Sequence, residues 1–569
     1  SYYILYKKMP GGLLNIISTG KANLFLTGNP SKTFFKVAYS KYTNFGMQKF
    51  RLDYDGLREL RLTESSKFTF KIKRYADLLM DTYLVLNLPD IWSPVWPAGS
   101  NTNNIISPYE FKWIKDLGSR MIQEITVSAG GSVLQRITGN YLTAMIERDF
   151  SETKKHLHDN MSGNTTQFNN PANHLNRINT YPNSYYNTSP GGAEPSIRGK
   201  TIYIPINVWF TMTSKQAFPL IAMQYNELVI EVILRPVTEL YIIRDVKDKV
   251  NNYPYIQPNP NQDYQQFHNF IQTPPNVELS YSDKRTNWNA DLHLISTYGF
   301  LSKDENRVFA KEEHDYLIKE VYEHIYHNVV GSQKINIDSL GLVNSWMWYF
   351  QRNDVNMRNE WSNYTNWPYD YIPQDIFIPT STHPQIMNRA ISTTTVPGLT
   401  EPISVYSNPN TVVTNLFISG EYFVENHKSI MTTLGVVLDG KYRENVFEAG
   451  VFEYVEKYVR TSGNAKEGLY CYNFCINTSP YDLQPSGAMN MSKFSKVELE
   501  FTTYTPPLDS NSVTYQICIP PNGLTPAIPI GVNKPSWRIF DYTYDMHLFE
   551  ERYNIVKFVS GNCSLMYSR

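Results

Sequence analysis

Cys471 and Cys475 stand four apart in GLYCYNFCINTSPYDLQPSGAMNMSKF, residues 468–494. Two thiols at short spacing could ligate a metal or exchange a disulfide. On a strand, however, residues four apart share a face about 13 Å apart, at roughly 3.3 Å per residue. Bridged Cα atoms lie within about 7 Å, so either chemistry requires that the segment not be a strand. Leu469, Cys471, Asn473 and Cys475 alternate with Tyr470, Tyr472, Phe474 and Ile476, which is the period of a strand. The thiols are therefore expected to pack rather than react.

Glu320, His324 and His327 form a second candidate, because HDYLIKEVYEHIYH reads as a helix whose spacing would gather them on one face. The run is not HExxH and supplies no fourth ligand, so a solvated or interface face is expected and no metal. Sequons occur at Asn160, Asn164, Asn187, Asn363, Asn477, Asn490 and Asn562. Asn160, Asn164, Asn187 and Asn363 fall in stretches read as outer loops and are the candidate glycosylation sites. No GxSxG, phosphate-binding loop or dinucleotide fingerprint is present, and nothing places two of the 53 carboxylates across a cleft. No catalytic residue and no cofactor are expected.

The elements that would carry these residues are strands. Phe68, Phe70 and Ile72 alternate with lysines and threonine in KFTFKIKR, and the same period recurs in TIYIPINVWF, ELVIEVIL and VELEFTTYT. Gly130-Gly131 and Asp439-Gly440 each separate two such runs, as hairpin turns do. GNYLTAMIERDF, like HDYLIKEVYEHIYH, reads as a helix. Val133, Leu134, Tyr141, Leu142 and Ile146 recur as Val308, Phe309, Tyr316, Leu317 and Val321, which suggests a repeat at an offset of 175. Polar stretches at 158–196, 245–290 and 351–415 read as long surface loops. The expected class is all-β, with tandem sandwiches, short helices and long loops.

Composition narrows the function. With 52 basic and 53 acidic residues, nothing suggests a chain that coats nucleic acid. Four cysteines in 569 residues are no disulfide framework, so assembly in a reducing compartment is expected. No run reaches the roughly 18 apolar residues of a membrane span, and no signal peptide is evident, so a soluble protein is expected. Residues 1–8 precede Met9 and read as an extension or the remnant of a longer chain.

GGLLNIISTGKANLFLTGNPSKTFFKVAYSKYTNF, from Gly11 to Phe45, resembles the start of the major capsid proteins of nucleocytoplasmic large DNA viruses, with Leu26-Thr27-Gly28-Asn29-Pro30 and Phe34-Phe35-Lys36 as its most specific core. PYEFKWIKDLGSRMIQEITVSAGG, SIRGKTIYIPINVWF, AFPLIAMQYNELVIEVILRP and DENRVFAKEEHDYLIKEV follow in the family's order, as does Gln484-Pro485-Ser486-Gly487-Ala488 with Ser492. Asn23 departs from the acidic residue usual in the family.

The resemblance implies two tandem eight-stranded antiparallel jelly rolls, laid out as an N-terminal arm at 1–27, a first jelly roll at 28–236 and a second at 237–569. It further implies a homotrimer forming a pseudo-hexameric capsomer in an icosahedral shell, assembled in the host cytoplasm. Neighbouring capsomers, minor capsid and penton proteins are the implied partners, with no direct contact to nucleic acid. The arm would lie beneath the capsomer, against minor capsid proteins or the inner viral membrane; an arm tucked against its own first jelly roll is the equal alternative. Two other functions compete: a carbohydrate-binding or carbohydrate-cleaving β sandwich, suggested by Trp346, Trp348, Trp361 and Trp367, and a penton or minor capsid paralogue.

Overall fold

Strands with one apolar face build two sandwiches of the same plan. The structure, a computed structural model, describes nearly all of residues 43–93, 109–177, 194–245, 288–367, 428–506 and 542–567, together with a short stretch at 255–271, two strands between 514 and 533, and isolated positions elsewhere. The first sandwich is formed by β1 (Phe45–Asp53), β2 (Ser66–Lys71), β3 (Leu78–Asn87), β4 (Ile122–Ala129), β5 (Ser132–Thr138), β6 (Thr201–Pro205), β7 (Leu228–Leu234) and β8 (His293–Leu301). The second is formed by β9 (His314–Val329), β10 (Ser332–Asn336), β11 (Leu342–Arg352), β12 (Met431–Leu438), β13 (Lys441–Glu448), β14 (Leu469–Asn473), β15 (Val497–Thr503) and β16 (Tyr544–Val559).

The sheets run β1-β8-β3-β6 and β2-β7-β4-β5 in the first unit, and β9-β16-β11-β14 and β10-β15-β12-β13 in the second. Each strand of the second unit thus takes the place of the strand eight earlier. Two facing antiparallel sheets with four main strands each in this order are a jelly roll, present twice, and short strands add one to the β1-β8-β3-β6 sheet and two to the β9-β16-β11-β14 sheet. The predicted alternation holds: β2 buries every second residue, and β7 and β15 bury alternate residues with the others half-buried. At both predicted hairpins the turn pair has positive φ, at Gly130-Gly131 and Asp439-Gly440.

Four expectations change. HDYLIKEVYEHIYH is not a helix but most of β9, paired along its length with β16. Its Tyr, Ile and Val content suits a pleated surface, and the pairing outweighs a sequence that carries both periods. The 175-residue repeat fails with it, because Tyr141, Leu142 and Ile146 are helical whereas Tyr316, Leu317 and Val321 lie in β9. The structural repeat matches β4, its turn and β5 with β12, its turn and β13. The boundary expected at 236/237 falls inside the first unit, since β8 pairs with both β1 and β3. Finally, Leu14 of the arm packs on the second core, and Asn23 Oδ1 accepts from Asn490 Nδ2 at 3.1 Å. At these positions the arm therefore meets the second jelly roll. An Asn at position 23 makes this contact as an Asp would, through an oxygen.

Helix α1 (Gly139–Asp149) follows β5, and α2 (Glu152–Ser162) follows α1. Helix α3 (Lys303–Lys311) joins the two units, and a helical segment at 449–460, here α4, follows β13. Among the described residues no helix is long and apolar enough to cross a membrane.

Candidate functional site: the seam between the sandwiches

Helix α1 is where the two units meet. Thr138 caps it, its Oγ1 accepting from Tyr141 N at 3.2 Å. Position 139 has to be Gly, because a Cβ there would lie 2.0 Å from Ile122 O and 2.4 Å from Ser119 O. Ten of the eleven residues of α1 are buried, far more than one sandwich can cover. The rest of the cover is the outer face of β9-β16-β11-β14. In β11, Trp346, Trp348 and Phe350 enter the second core while Met347 and Tyr349 join the first, so all eleven residues are buried.

Charges are locked into this seam. Arg148 bonds Asp149 through Nε (3.0 Å) and Nη2 (2.7 Å), Glu551 Oε1 of β16 through Nη2 (2.6 Å), and Ser345 Oγ of β11 through Nη1 (3.2 Å). Tyr141 OH and Ser345 Oγ also donate to Glu551, and Thr478 Oγ1 donates to Asp149, each at 2.7–2.9 Å. Both ion-paired carboxylates and the guanidinium are 1% exposed. Burial works against the Arg148 charge, yet Asp149 and Glu551 hold it protonated well above the usual guanidinium range. Burial pushes Glu551 up, but Arg148 and Lys319 overcome it and hold the group below the ordinary carboxylate range. For Asp149 burial wins and the carboxyl is raised.

A second cluster flanks the first. Arg120 donates to Asn140 Oδ1 at 2.7 Å, to Ser362 Oγ at 3.2 Å and to Tyr364 OH. Ser362 in turn donates to Asp116 at 2.7 Å. Burial raises Asp116, but Lys466 and the Ser362 hydroxyl more than offset it, leaving the carboxyl well below its usual range. Gln135 of β5 donates to Lys319 O at 2.9 Å, and Thr138 donates to Glu323 at 2.7 Å, stitching the edge of one sandwich to β9 of the other.

The cavity beside Tyr141, Arg148 and Glu551 is about 60 Å³, enough for water but not for a substrate.

Cys471 shares its face with Leu469 on β14, toward the seam, and Cys475 lies just past the strand end. Both are free, buried thiols, and burial pushes Cys471 up to about 11. Glu320, His324 and His327 do not converge. On β9 the first two lie four strand positions apart on one face, with His327 on the other, its Nδ1 3.1 Å from Asp545 Oδ2. Among the described residues no group of three or more His, Cys, Asp or Glu is placed to hold a metal.

The sequons differ from the expected outer loops. Asn160 is exposed, but on α2. Asn164 is half-buried, its amide donating to Asp116 at 2.8 Å. Asn363 is buried, with its amide on Trp367 O and its oxygen accepting from Thr365. Asn187 lies outside the described residues. Trp346, Trp348 and Trp367 are also buried, and Trp361 is half-buried with its Nε1 on Glu239 O. Sugar stacking, the basis of the carbohydrate reading, thus loses its platform.

Sequence reasoning missed the seam charges. The available signal was FEERYN, where Glu550, Glu551 and Arg552 interrupt an apolar strand, together with Glu147-Arg148-Asp149 ending an apolar helix. Charges inside such runs mark buried pairs.

Residues 33–272 match the family described as major capsid protein N-terminus, and residues 305–516 match that described as large eukaryotic DNA virus major capsid protein. The major capsid protein of Chrysochromulina ericina virus is 28% identical over 341 residues, covering 55% of this chain and 52% of that one, so the chain spans about half of its length. The major capsid protein of Phaeocystis pouchetii virus is 22% identical over 606 residues, covering 98% and 100%. Among solved structures, the Faustovirus major capsid protein aligns with a TM-score of 0.55 at 12% identity, covering 94% of each chain, a likeness of fold.

Proposed function

This chain belongs to the major capsid proteins of large eukaryotic DNA viruses, and we propose that it is the repeating subunit of an icosahedral shell, acting by assembly rather than catalysis. Three copies close into a capsomer, each chain contributing two sandwiches, so that six similar wedges surround a threefold axis and tile a locally sixfold lattice. The observation that carries this reading is the pairing of two sandwiches of identical strand order across a buried, charge-locked seam. A rigid seam makes one chain a fixed two-wedge block, as a lattice of uniform capsomers requires.

Neighbouring capsomers meet through smaller and more polar contacts than those within the trimer. A net charge of −1 suits a wall that does not coat nucleic acid. The free thiols Cys471, Cys475 and Cys563 support assembly in a reducing host cytoplasm. The arm at 1–27, anchored to the second sandwich through Leu14 and Asn23, is assigned contact with minor capsid proteins or the inner membrane, and penton proteins fill the vertices. Electron micrographs of particles carrying this chain test the reading: it requires the chain in the repeating capsomers, and its confinement to vertices or to minor copies would overturn it. Deleting residues 1–25 should leave trimers intact while impairing shells; loss of trimers would sink the assigned role of the arm.

A further inference from the structure

An open cavity of about 410 Å³ lies beside the seam, lined by residues of β3, β6 and α2. That volume falls within the roughly 300–1,000 Å³ of small-molecule sites. Asn207 and Met212 line both this cavity and the smaller one of about 60 Å³ beside Arg148. The wall draws on both sandwiches, because Tyr481, which follows β14, joins lining residues that otherwise lie between 80 and 214.

Met80, Met161 and Met212, with Phe150, Leu157 and Ile206, give the cavity an apolar lining. Three unbranched thioethers can follow the shape of a flexible guest. Among them stands one cation. The Lys154 ammonium donates to Tyr481 OH and lies 3.8 Å from the centre of that ring and 4.8 Å from the centre of the Phe150 ring. Solvent reaches it, yet partial burial lowers it from the ordinary ammonium range, with no carboxylate beside it to oppose the shift. The carboxylate in the lining, Asp81, accepts from Thr297 Oγ1 at 2.9 Å. His158, 6% exposed, also lines the cavity, and its Nδ1 makes no hydrogen bond, with Asp159 Oδ1 3.7 Å away. Asn207 and Ser214 add an amide and a hydroxyl.

We propose that this cavity binds an aliphatic monocarboxylate, a free medium-chain fatty acid, with its carboxylate on Lys154 and its chain along the methionines. A single ammonium without an acidic partner calls for a single negative charge, whereas a phosphate is better held by several donors. The same ammonium covers the Phe150 and Tyr481 rings on which a sugar would stack. Because the wall draws on both sandwiches, the guest ties Tyr481 of the second unit to α2 of the first. Occupancy then stabilises the folded chain by mass action. The site stands apart from the capsomer reading, since it lies within one chain.

The test is isothermal titration of the purified full chain with sodium octanoate, 1-octanol and octylammonium chloride. Octanoate should bind at one site per chain and at least about tenfold more tightly than either analogue, the factor expected of one charge-assisted hydrogen bond. It should also raise the midpoint of thermal unfolding as its concentration increases. Lys154→Glu, at an exposed position, should reverse the preference, so that octylammonium binds more tightly than octanoate, while far-UV circular dichroism and mass by light scattering match the wild type. Such a reversal distinguishes a changed site from a lost fold. Equal affinities for octanoate and 1-octanol would overturn the carboxylate assignment, and an unchanged octanoate affinity in Lys154→Glu would overturn the place of Lys154. Octanoate that shows no saturable binding to the wild type would overturn the site altogether.

Discussion

Replacing Arg148 by Met should loosen the seam, and the size of the effect follows from what is left behind. The side chain is similar in length, so the main loss is of charge and hydrogen bonds. Asp149 retains only the Thr478 hydroxyl, while Glu551 retains the hydroxyls of Tyr141 and Ser345. Two carboxylates at 1% exposure then lack the guanidinium that bonded both, and of the two Glu551 alone keeps the field of Lys319. Breaking a buried pair in this way costs about 3–5 kcal/mol. Hydrogen exchange reads it locally, because the amides of α1 and β16 should lose about that much protection while those of β2 and β7 keep theirs. The deficit should also depend on pH. Asp149, which burial already raises, loses the cation that opposed burial, so its folded-state value rises further above the unfolded one and folding takes up protons. The deficit is then largest near pH 8 and shrinks as pH falls toward 5. Adding Glu551→Gln removes one uncompensated charge and should restore about 1–3 kcal/mol. A loss under about 1 kcal/mol, flat with pH, would refute the picture of a buried seam held by these charges.

Four further outcomes follow from named contacts. Asp116 and Asp354 are held well below the usual carboxylate range, Asp354 against burial by Arg352 and Arg358, so their stabilisation is complete above the unfolded value near 4 and is lost as pH falls below it. Thermal melts should therefore drop steeply below about pH 4, and Asp354→Asn should flatten that limb. Cys471, with its thiol pushed up to about 11, should resist iodoacetamide at pH 8 in the native protein, as should Cys475 and Cys563, and all three should label once unfolded. Cys471→Ala with Cys475→Ala should leave trimer mass unchanged under reducing conditions, with a melting shift from lost packing alone. Gly139→Ala, whose methyl meets two backbone carbonyls, should cost about 1–3 kcal/mol, read by denaturant unfolding.

Strands with one wet face were legible, because β2, β7 and β15 announce themselves by alternation. Strands covered on both sides were not: β11 reads as an aromatic run, since one face meets its own core and the other meets the first sandwich. β9 was mistaken for a helix because Leu317, Val321 and Ile325 recur every fourth residue, a spacing that a strand and a helix both place on one face. The boundary between units was hidden because β8 lies far along the chain from its partners β1 and β3, and pairing at long range leaves no local mark. Both thiols are buried, yet Cys475 lies past the end of the strand on which alternation placed it, and the packing of Cys471 against the neighbouring sandwich depends on tertiary structure alone.

The central claim is that this chain is a two-wedge block built to close in threes. Native mass spectrometry of the purified protein tests it most directly. The account predicts a dominant species at three times the 65.9 kDa of the chain, persisting under dilution as obligate interfaces do. A folded chain that remains a monomer at micromolar concentration would contradict it.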